Sequence, residues 1–240
     1  MKLRNEHARS YIDDIKQVGL LEFLTWKGKD VAAAWVGAHE PATRSDDAQL
    51  ITLARFSRDH YLFYRALVEH HVSKEGTILD VGCGSGHRTA MLSRYATKVL
   101  AIDSDITKLG MGSSLNHHAN IEWMFGDFLE WAKKNEQTFD HVFAVEVIEH
   151  VELGKQGEFM AELYKKVAPG GSLLMTTPRD VNPNRVHPHI GLWDDEIAKR
   201  AVAEVGGRLE YFSVAQFVSG GDDPRCGVDK ATHYVVVASK

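Results

Sequence analysis

The sequence of 240 residues lacks long apolar runs and has few cysteines. No apolar stretch approaches the ~20 residues that cross a bilayer, and residues 1–6 lack the apolar core of a secretory signal. The two cysteines, Cys83 and Cys226, have no metal-site spacing and no accompanying secretory signal, so we expect free thiols. These absences predict a cytoplasmic protein without a membrane span.

The sequence also lacks an excess of positive charge. Lys and Arg number 28 and Asp and Glu number 33, which gives a net charge of −5. Binding of a phosphate backbone requires basic residues, so a nucleic-acid partner is not expected. The chain does have apolar content, since 44% of its residues are hydrophobic, which is enough for a substantial core.

Two parts of the chain differ in the periodicity of their apolar residues. In residues 1–75 these residues recur at helical intervals, which predicts a helical N-terminal cap. From Thr77 onward, short β-branched runs alternate with helical stretches, which predicts a parallel α/β sheet in a domain of residues 76–240. Seven such strands can be counted. The cap is either a pad on the sheet edge or a lid over a ligand.

The first predicted strand ends in a glycine-rich turn, residues 80–86 with the sequence DVGCGSG. Glycines in such a turn let the backbone bend tightly and approach a ligand closely. A dinucleotide fingerprint would need its third glycine at position 87, where His87 stands. A Walker A loop would need Gly-Lys followed by Ser or Thr, which is also missing. Nicotinamide, flavin and nucleoside triphosphate sites are therefore disfavoured.

The glycine-rich turn resembles motif I of the class I S-adenosylmethionine-dependent methyltransferases. The resemblance extends over about residues 76–240 and implies a Rossmann-like, mostly parallel seven-stranded sheet flanked by helices, with the last strand antiparallel. It also implies S-adenosylmethionine as the cofactor. Asp80, Gly82 and Gly84 would then lie along the methionine part of that cofactor.

Acidic residues also end the second and third predicted strands. Asp103, followed by Ser104, stands at the distance from the glycine turn where an adenosine ribose would bind. Asp127 and Phe128 resemble the pair that receives the adenine amino group and flanks the adenine ring in this family. Each acid taken alone could instead be a helix N-cap. Their order and spacing favour the cofactor-binding interpretation.

Two carboxylates and an imidazole follow the fourth predicted strand, at Glu146, Glu149 and His150. This segment resembles the Glu-x-x-Glu-His segment of the ubiquinone-biosynthesis O-methyltransferases and the small-RNA 3′-end 2′-O-methyltransferases, where it supplies divalent-metal ligands. With His189 or His187 from a later loop, these residues could bind Mg²⁺ or Mn²⁺.

We do not favour a metal. In the alternative, Glu146 faces the cofactor and Glu149 and His150 are catalytic, with His150 as a metal-free base or orienting group. A purely structural role for the segment stays open.

The predicted function is S-adenosylmethionine-dependent O-methylation of a small molecule or a glycan. The segment Asn182–Trp193 contains two prolines and resembles a segment of glycan-associated methyltransferases, so we expect it to contact the acceptor. One alternative is an RNA 3′-end 2′-O-methyltransferase, which the net negative charge disfavours. The other is a cofactor-binding regulatory protein without catalytic activity.

Overall fold

The computed structural model describes residues 64–65, 67–69, 71–72, 76–179, 191–213 and 231–240. The helices and strands given below lie in the unit Arg65–Lys240. The described residues between 64 and 71 are helical. The rest of the predicted cap of residues 1–75 lies outside the described residues, so the cap and its function as a lid stay predictions.

Seven strands form one sheet, in the order β3-β2-β1-β4-β5-β7-β6. The strands are β1 (Gly76–Val81), β2 (Ala96–Asp103), β3 (Ile121–Phe125), β4 (Phe139–Val145), β5 (Val167–Pro178), β6 (Arg208–Phe212) and β7 (His233–Ser239). Neighbouring strands from β1 to β5 pair in parallel, whereas β7 runs antiparallel to both β5 and β6. The predicted Rossmann-like sheet with an antiparallel last strand is confirmed.

Helices connect the strands along most of the chain that the structure describes. They are α1 (His87–Leu92), α2 (Ile106–Leu115), α3 (Phe128–Lys134), α4 (Leu153–Lys165) and α5 (Asp195–Glu204), with short 3₁₀ turns at Ser93–Tyr95 and Ile148–His150. Acidic side chains cap three of the helices: Asp105 for α2, Asp127 for α3 and Asp194 for α5 each accept backbone N–H bonds from the first turn. None of the described helices is long and apolar enough to cross a membrane.

The main core lies between the sheet and helices α3, α4 and α5. Phe128 of α3 and Phe159 of α4 pack edge to face with their ring centroids 5.1 Å apart, and Trp193 before α5 is fully buried. Burial of one such side chain contributes about 1.5–3 kcal/mol. A compact layer of large side chains thus supports this face of the sheet.

The second face of the sheet is covered in part by α2, through a smaller cluster of Cys83, Ala101 and Leu109. Ala101 lies between Leu100 and Ile102, which belong to the main core, so its side chain points to the opposite face. Cys83 is a free, buried thiol, as expected, and burial raises its pKa. Cys226 lies outside the described residues.

The strand directions bring several chain segments to one edge of the sheet. The carboxyl ends of the five parallel strands lie at this edge, as does the amino end of β7, because His233 pairs with Pro178 at the end of β5. Ligands of open α/β sheets bind beyond the carboxyl ends of the strands. The fold therefore places the glycine turn, Asp103 and Glu146 along the same edge.

Candidate functional site

The glycine turn is held close to its neighbours and is open at one position. Gly82, Gly84 and Gly86 have φ values of 67°, 55° and 77°, in the left-handed region that glycine adopts without strain. A Cβ at Gly82 would lie 2.4 Å from a methyl carbon of Val147, whereas a Cβ at Gly84 would meet no described atom within 4 Å. The turn is therefore packed against the β4 segment at Gly82 and accessible to a ligand at Gly84.

Asp80 lies behind this turn. It is 1% exposed, and its Oδ2 accepts a 2.6 Å hydrogen bond from Thr89 Oγ1 of α1. Burial raises the pKa of Asp80 to about 6, although the Thr89 hydrogen bond and the Arg88 charge oppose the increase. Asp80 thus fixes the end of β1 to α1, and its predicted contact with the cofactor stays a prediction.

Asp103 connects the turn to the end of β2. Its Oδ2 accepts a 2.6 Å hydrogen bond from the Gly84 amide, and its Oδ1 accepts a 2.8 Å bond from the Asp105 amide. An ionised carboxylate has about four acceptor positions, so about two remain for a ligand. Ser104 next to it is exposed. These residues fit a pair of ribose hydroxyl groups.

The predicted adenine pair has a structural function of its own. Asp127 is exposed and accepts a 2.9 Å hydrogen bond from the Glu130 amide as the N-cap of α3. The Phe128 ring is 6% exposed and packs in the main core, so little of its surface is accessible to a ligand. Contacts of Asp127 and Phe128 with adenine stay predictions.

Glu146 follows β4 with a φ of 57° and is the one described non-glycine residue with a positive φ. Its amide donates to the Thr176 carbonyl at 3.0 Å, and its Oε1 accepts a 2.8 Å hydrogen bond from Thr176 Oγ1. The second oxygen, Oε2, lies 3.7 Å from His233 Nε2. Thr176 and His233 were not among the residues predicted from the sequence. Only the direction of β7 brings His233 to this edge.

Glu149 and His150 lie in the 3₁₀ turn after β4, in different environments. Glu149 is 1% exposed and its Oε2 accepts a 3.1 Å hydrogen bond from Thr177 Oγ1, whereas His150 is exposed. Burial, and secondly the charge of Glu146, raise the pKa of Glu149 to about 8. Burial thus favours the protonated form of Glu149, and His150 is exposed at the end of the same turn.

A metal site at these residues would require Glu146, Glu149, His150 and His189. Within residues 64–179, 191–213 and 231–240, so far as they are described, no group of three or more His, Cys, Asp or Glu side chains is arranged to hold a metal ion. His189 and His187 lie outside the described residues.

A buried glutamine fixes the turn that carries Glu149 and His150. Gln156 Nε2 donates to the carbonyls of Ile148, Val151 and Gly191 at 2.9, 3.1 and 2.7 Å, and its Oε1 accepts from Trp193 Nε1 at 2.8 Å. A Cβ at Gly191 would lie 2.2 Å from Gln156 Nε2, so only glycine permits this approach. Gln156 thereby joins the 3₁₀ turn to the described end of the Asn182–Trp193 segment.

Comparison with known families supports this assignment of elements. The sequence profile of a family described as "Methyltransferase domain" matches residues 78–171. The matched segment contains the glycine turn, the acids at the ends of β2 and β3, and the Glu146–His150 turn. Residues 78–171 of this chain thus match a methyltransferase domain, in agreement with the resemblance of the glycine-rich turn to motif I.

This methyltransferase domain is similar in sequence to proteins that methylate different atoms. The mitochondrial ubiquinone biosynthesis O-methyltransferase of Dictyostelium discoideum is 37% identical over 123 residues, covering 45% of this chain and 37% of the relative. The sterol 24-C-methyltransferase of Kluyveromyces lactis is 31% identical over 119 residues, covering 48% of this chain and 30% of the relative. The aligned part of the chain spans between 30% and 49% of the length of such curated relatives.

A solved structure shares the fold. The N-methyltransferase NodS of Bradyrhizobium japonicum WM9, in complex with S-adenosyl-L-homocysteine, is 17% identical to the methyltransferase domain, with a TM-score of 0.56. The match covers 75% of this chain and 84% of that structure. At this identity the similarity demonstrates the fold, and the acceptor atom has to be argued separately.

The buried carboxyl of Glu149 makes stability depend on pH. Its pKa rises from 4.5 to about 8 on folding, so the folded state keeps a proton that the unfolded state releases. The protonated Glu149 therefore makes its full contribution to the free energy of unfolding below about pH 4.5, and this contribution is lost as the pH rises towards 8. Glu149→Gln removes this loss, so we expect the free energy of unfolding at pH 7 to increase by about 1–3 kcal/mol.

Urea unfolding of the methyltransferase domain between pH 5 and pH 8 measures this difference. The exposed Glu136→Gln is the control and should stay within about 0.5 kcal/mol of the wild type at every pH. A Glu149→Gln protein that is less stable than the wild type at pH 7 would mean that Glu149 is ionised in the fold.

The hydrogen bonds of Gln156 predict a second stability effect. Gln156→Met keeps the size of the side chain but leaves the Trp193 N–H and the three carbonyls without this partner, so we expect a loss of about 2–4 kcal/mol. The same substitution at the exposed Gln137 should change stability by no more than about 0.5 kcal/mol. The shift of the urea unfolding midpoint gives the stability change of each variant, provided that the dependence of the free energy of unfolding on urea concentration is unchanged. Equal midpoints for the two variants would contradict the assigned function of Gln156.

Proposed function

We propose that this protein transfers the methyl group of S-adenosylmethionine to a hydroxyl oxygen of a small molecule or a glycan. The observation that carries the proposal is the open position at Gly84 beside the Asp103 carboxylate, at the same sheet edge as Glu146 and His150. The similarity to ubiquinone biosynthesis O-methyltransferases supports oxygen as the acceptor atom.

The residues at this edge fit the cofactor. The free acceptor positions of Asp103 suit the ribose hydroxyl groups, the turn at Gly82 and Gly84 suits the methionine part, and Asp127 suits the adenine amino group. When bound, S-adenosylmethionine supplies a methyl group on a positively charged sulfur, which makes that carbon electrophilic. The protein contributes alignment of the acceptor and exclusion of water from the site.

His150 is the residue we assign to the acceptor proton. Its side chain is exposed at the end of the turn after β4, and a neutral imidazole accepts a proton within the physiological range of pH. Glu149, the second predicted catalytic residue, holds a proton in the buried position and would act as a hydrogen-bond donor or orienting group.

The reaction itself can be tested by following S-adenosylhomocysteine formation with a panel of hydroxyl-bearing small molecules and sugars, and with matched amines. Turnover with hydroxyl compounds alone supports the proposal. Turnover with amines alone would reassign the acceptor atom to nitrogen. Cofactor binding without turnover on either class, or on an RNA 3′ end, would favour the regulatory alternative.

Asp103→Ala tests the cofactor site. Loss of two charge-assisted hydrogen bonds to the ribose, and of the bond to Gly84, should weaken S-adenosylhomocysteine binding by about 30–1000-fold, or about 2–4 kcal/mol. Titration calorimetry measures the affinity. Asp105→Asn is the matched control, because asparagine still caps α2, and it should leave the affinity within about twofold. Unchanged affinity in Asp103→Ala would contradict the assignment of Asp103 to the ribose hydroxyl groups of the cofactor.

His150→Ala tests the catalytic assignment. As the base, His150 should contribute about 10²–10⁴-fold to the rate of methyl transfer, with cofactor affinity unchanged and with a rate that rises with pH as the imidazole becomes neutral. The exposed His117→Ala is the control. Recovery of His150→Ala activity by excess Mg²⁺ or Mn²⁺ would instead identify a metal ligand. Normal turnover would exclude both functions.

A cytoplasmic location is also a proposal. Relatives such as the Dictyostelium discoideum enzyme are named mitochondrial, so the two compartments have to be distinguished by experiment. Fractionation of cells that express the natural protein distinguishes the two compartments.

A further inference from the structure

Strand β7, the antiparallel strand of the described sheet, brings its first residue to the candidate active site. A parallel strand contributes its last residues to this edge, but β7 runs the other way, and His233 therefore lies opposite Pro178 of β5 and Phe212 of β6. The side chain of His233 is 6% exposed. A buried imidazole at the ligand edge requires a polar partner on each side, since burial of an unpaired polar group is unfavourable.

The partners of His233 form a chain of polar groups across three neighbouring strands. His233 Nδ1 lies 2.8 Å from Thr232 Oγ1, and its Nε2 lies 3.7 Å from Glu146 Oε2. The other oxygen of Glu146 accepts the hydrogen bond from Thr176 Oγ1 at 2.8 Å. The carboxylate of Glu146 thus accepts a hydrogen bond at one oxygen and faces the His233 ring with the other, and 23% of its side chain remains exposed.

The backbone at Glu146 indicates that this orientation of the side chain is maintained in an energetically unfavourable backbone conformation. A φ of 57° is unfavourable for a residue with a Cβ and persists only where the surroundings hold it. Strain of this kind is concentrated at functional sites. Here the amide of Glu146 bonds to the Thr176 carbonyl and the side chain bonds to Thr176 and faces His233, so both halves of the residue are fixed.

We propose that His233 is a positioning residue of the methyltransferase site, which, together with Thr176, holds the Glu146 carboxylate in the orientation that contacts the bound cofactor. This inference rests on the proposed function, because it takes the Glu146 edge as the cofactor edge. His233 acts through Glu146 and does not touch the reacting atoms.

A double-mutant cycle on cofactor affinity tests the inference without an acceptor. Calorimetry with S-adenosylhomocysteine is performed on the wild type, Glu146→Gln, His233→Phe and the double variant. If His233 acts through Glu146, we expect about tenfold weaker binding for Glu146→Gln, about fivefold for His233→Phe, and about tenfold for the double variant. Independent effects would multiply to about 50-fold in the double variant.

A second buried histidine provides the matched control. His141 of β4 is also buried, its Nδ1 lies 2.8 Å from Ser172 Oγ, and it stands five residues before Glu146 in the chain. His141→Phe should change the unfolding midpoint but leave cofactor affinity within about twofold. His233→Gln, which keeps a polar N–H, should restore most of the affinity lost in His233→Phe.

The outcomes separate this inference from the proposed function. Three outcomes would overturn the inference and leave the proposed function in place. They are losses of cofactor affinity that multiply in the double variant, wild-type affinity in His233→Phe, and an equal loss of affinity in His141→Phe. Absence of S-adenosylhomocysteine binding to the wild type would overturn the proposed function and this inference with it. If His233→Phe does not fold, Thr176→Val takes its place in the cycle, since it removes the other support of the Glu146 side chain.

Discussion

The hydrogen bond between the buried Asp80 carboxylate and Thr89 is the constraint on which the site depends. It joins the end of β1 to α1 across the glycine turn, so the turn is fixed at both of its ends. Burial raises the pKa of the Asp80 carboxyl, because its charged form is unfavourable away from water, and the hydrogen bond from Thr89 offsets part of this penalty. The glycine turn can present an open position to a ligand because this buried contact keeps the surrounding backbone in place.

The segment after β4 shows how one stretch of chain gives two carboxylates different properties. Glu146 stays partly exposed between Thr176 and His233, whereas Glu149 turns into the protein and keeps its proton. Burial, and secondly the charge of Glu146, raise the pKa of Glu149 to about 8. Acids with a pKa raised by burial are frequent in active sites.

The glycine turn and the acids at the strand ends could be predicted because the relevant information is local. A residue type, its place at the end of an apolar run and the distance to the next strand suffice for Gly82, Gly84 and Asp103. The same local information leaves Asp127 ambiguous, since an N-cap and a ligand contact need the same side chain at the same place.

The remaining site residues depend on contacts between distant parts of the chain. Gln156 bonds to Gly191, 35 positions away, and no periodicity in the sequence predicts that pairing. His233 looks like an ordinary strand residue until the direction of β7 is known. The partners of Glu146 therefore could not be named from the sequence, although Glu146 itself could.

The direction of β7 has a consequence for how this protein could diverge. Phe212 at the end of β6 and His233 at the start of β7 face each other across a paired register, beside the site. Any peptide that joins them, whatever its length, must leave and re-enter the sheet there, and the entropic penalty of a longer junction grows slowly. Under the proposed function, exchange of this junction would therefore change the surface beside Glu146 and leave the glycine turn after β1 in place. The junction between β6 and β7 is thus the position at which altered acceptor specificity would be engineered first.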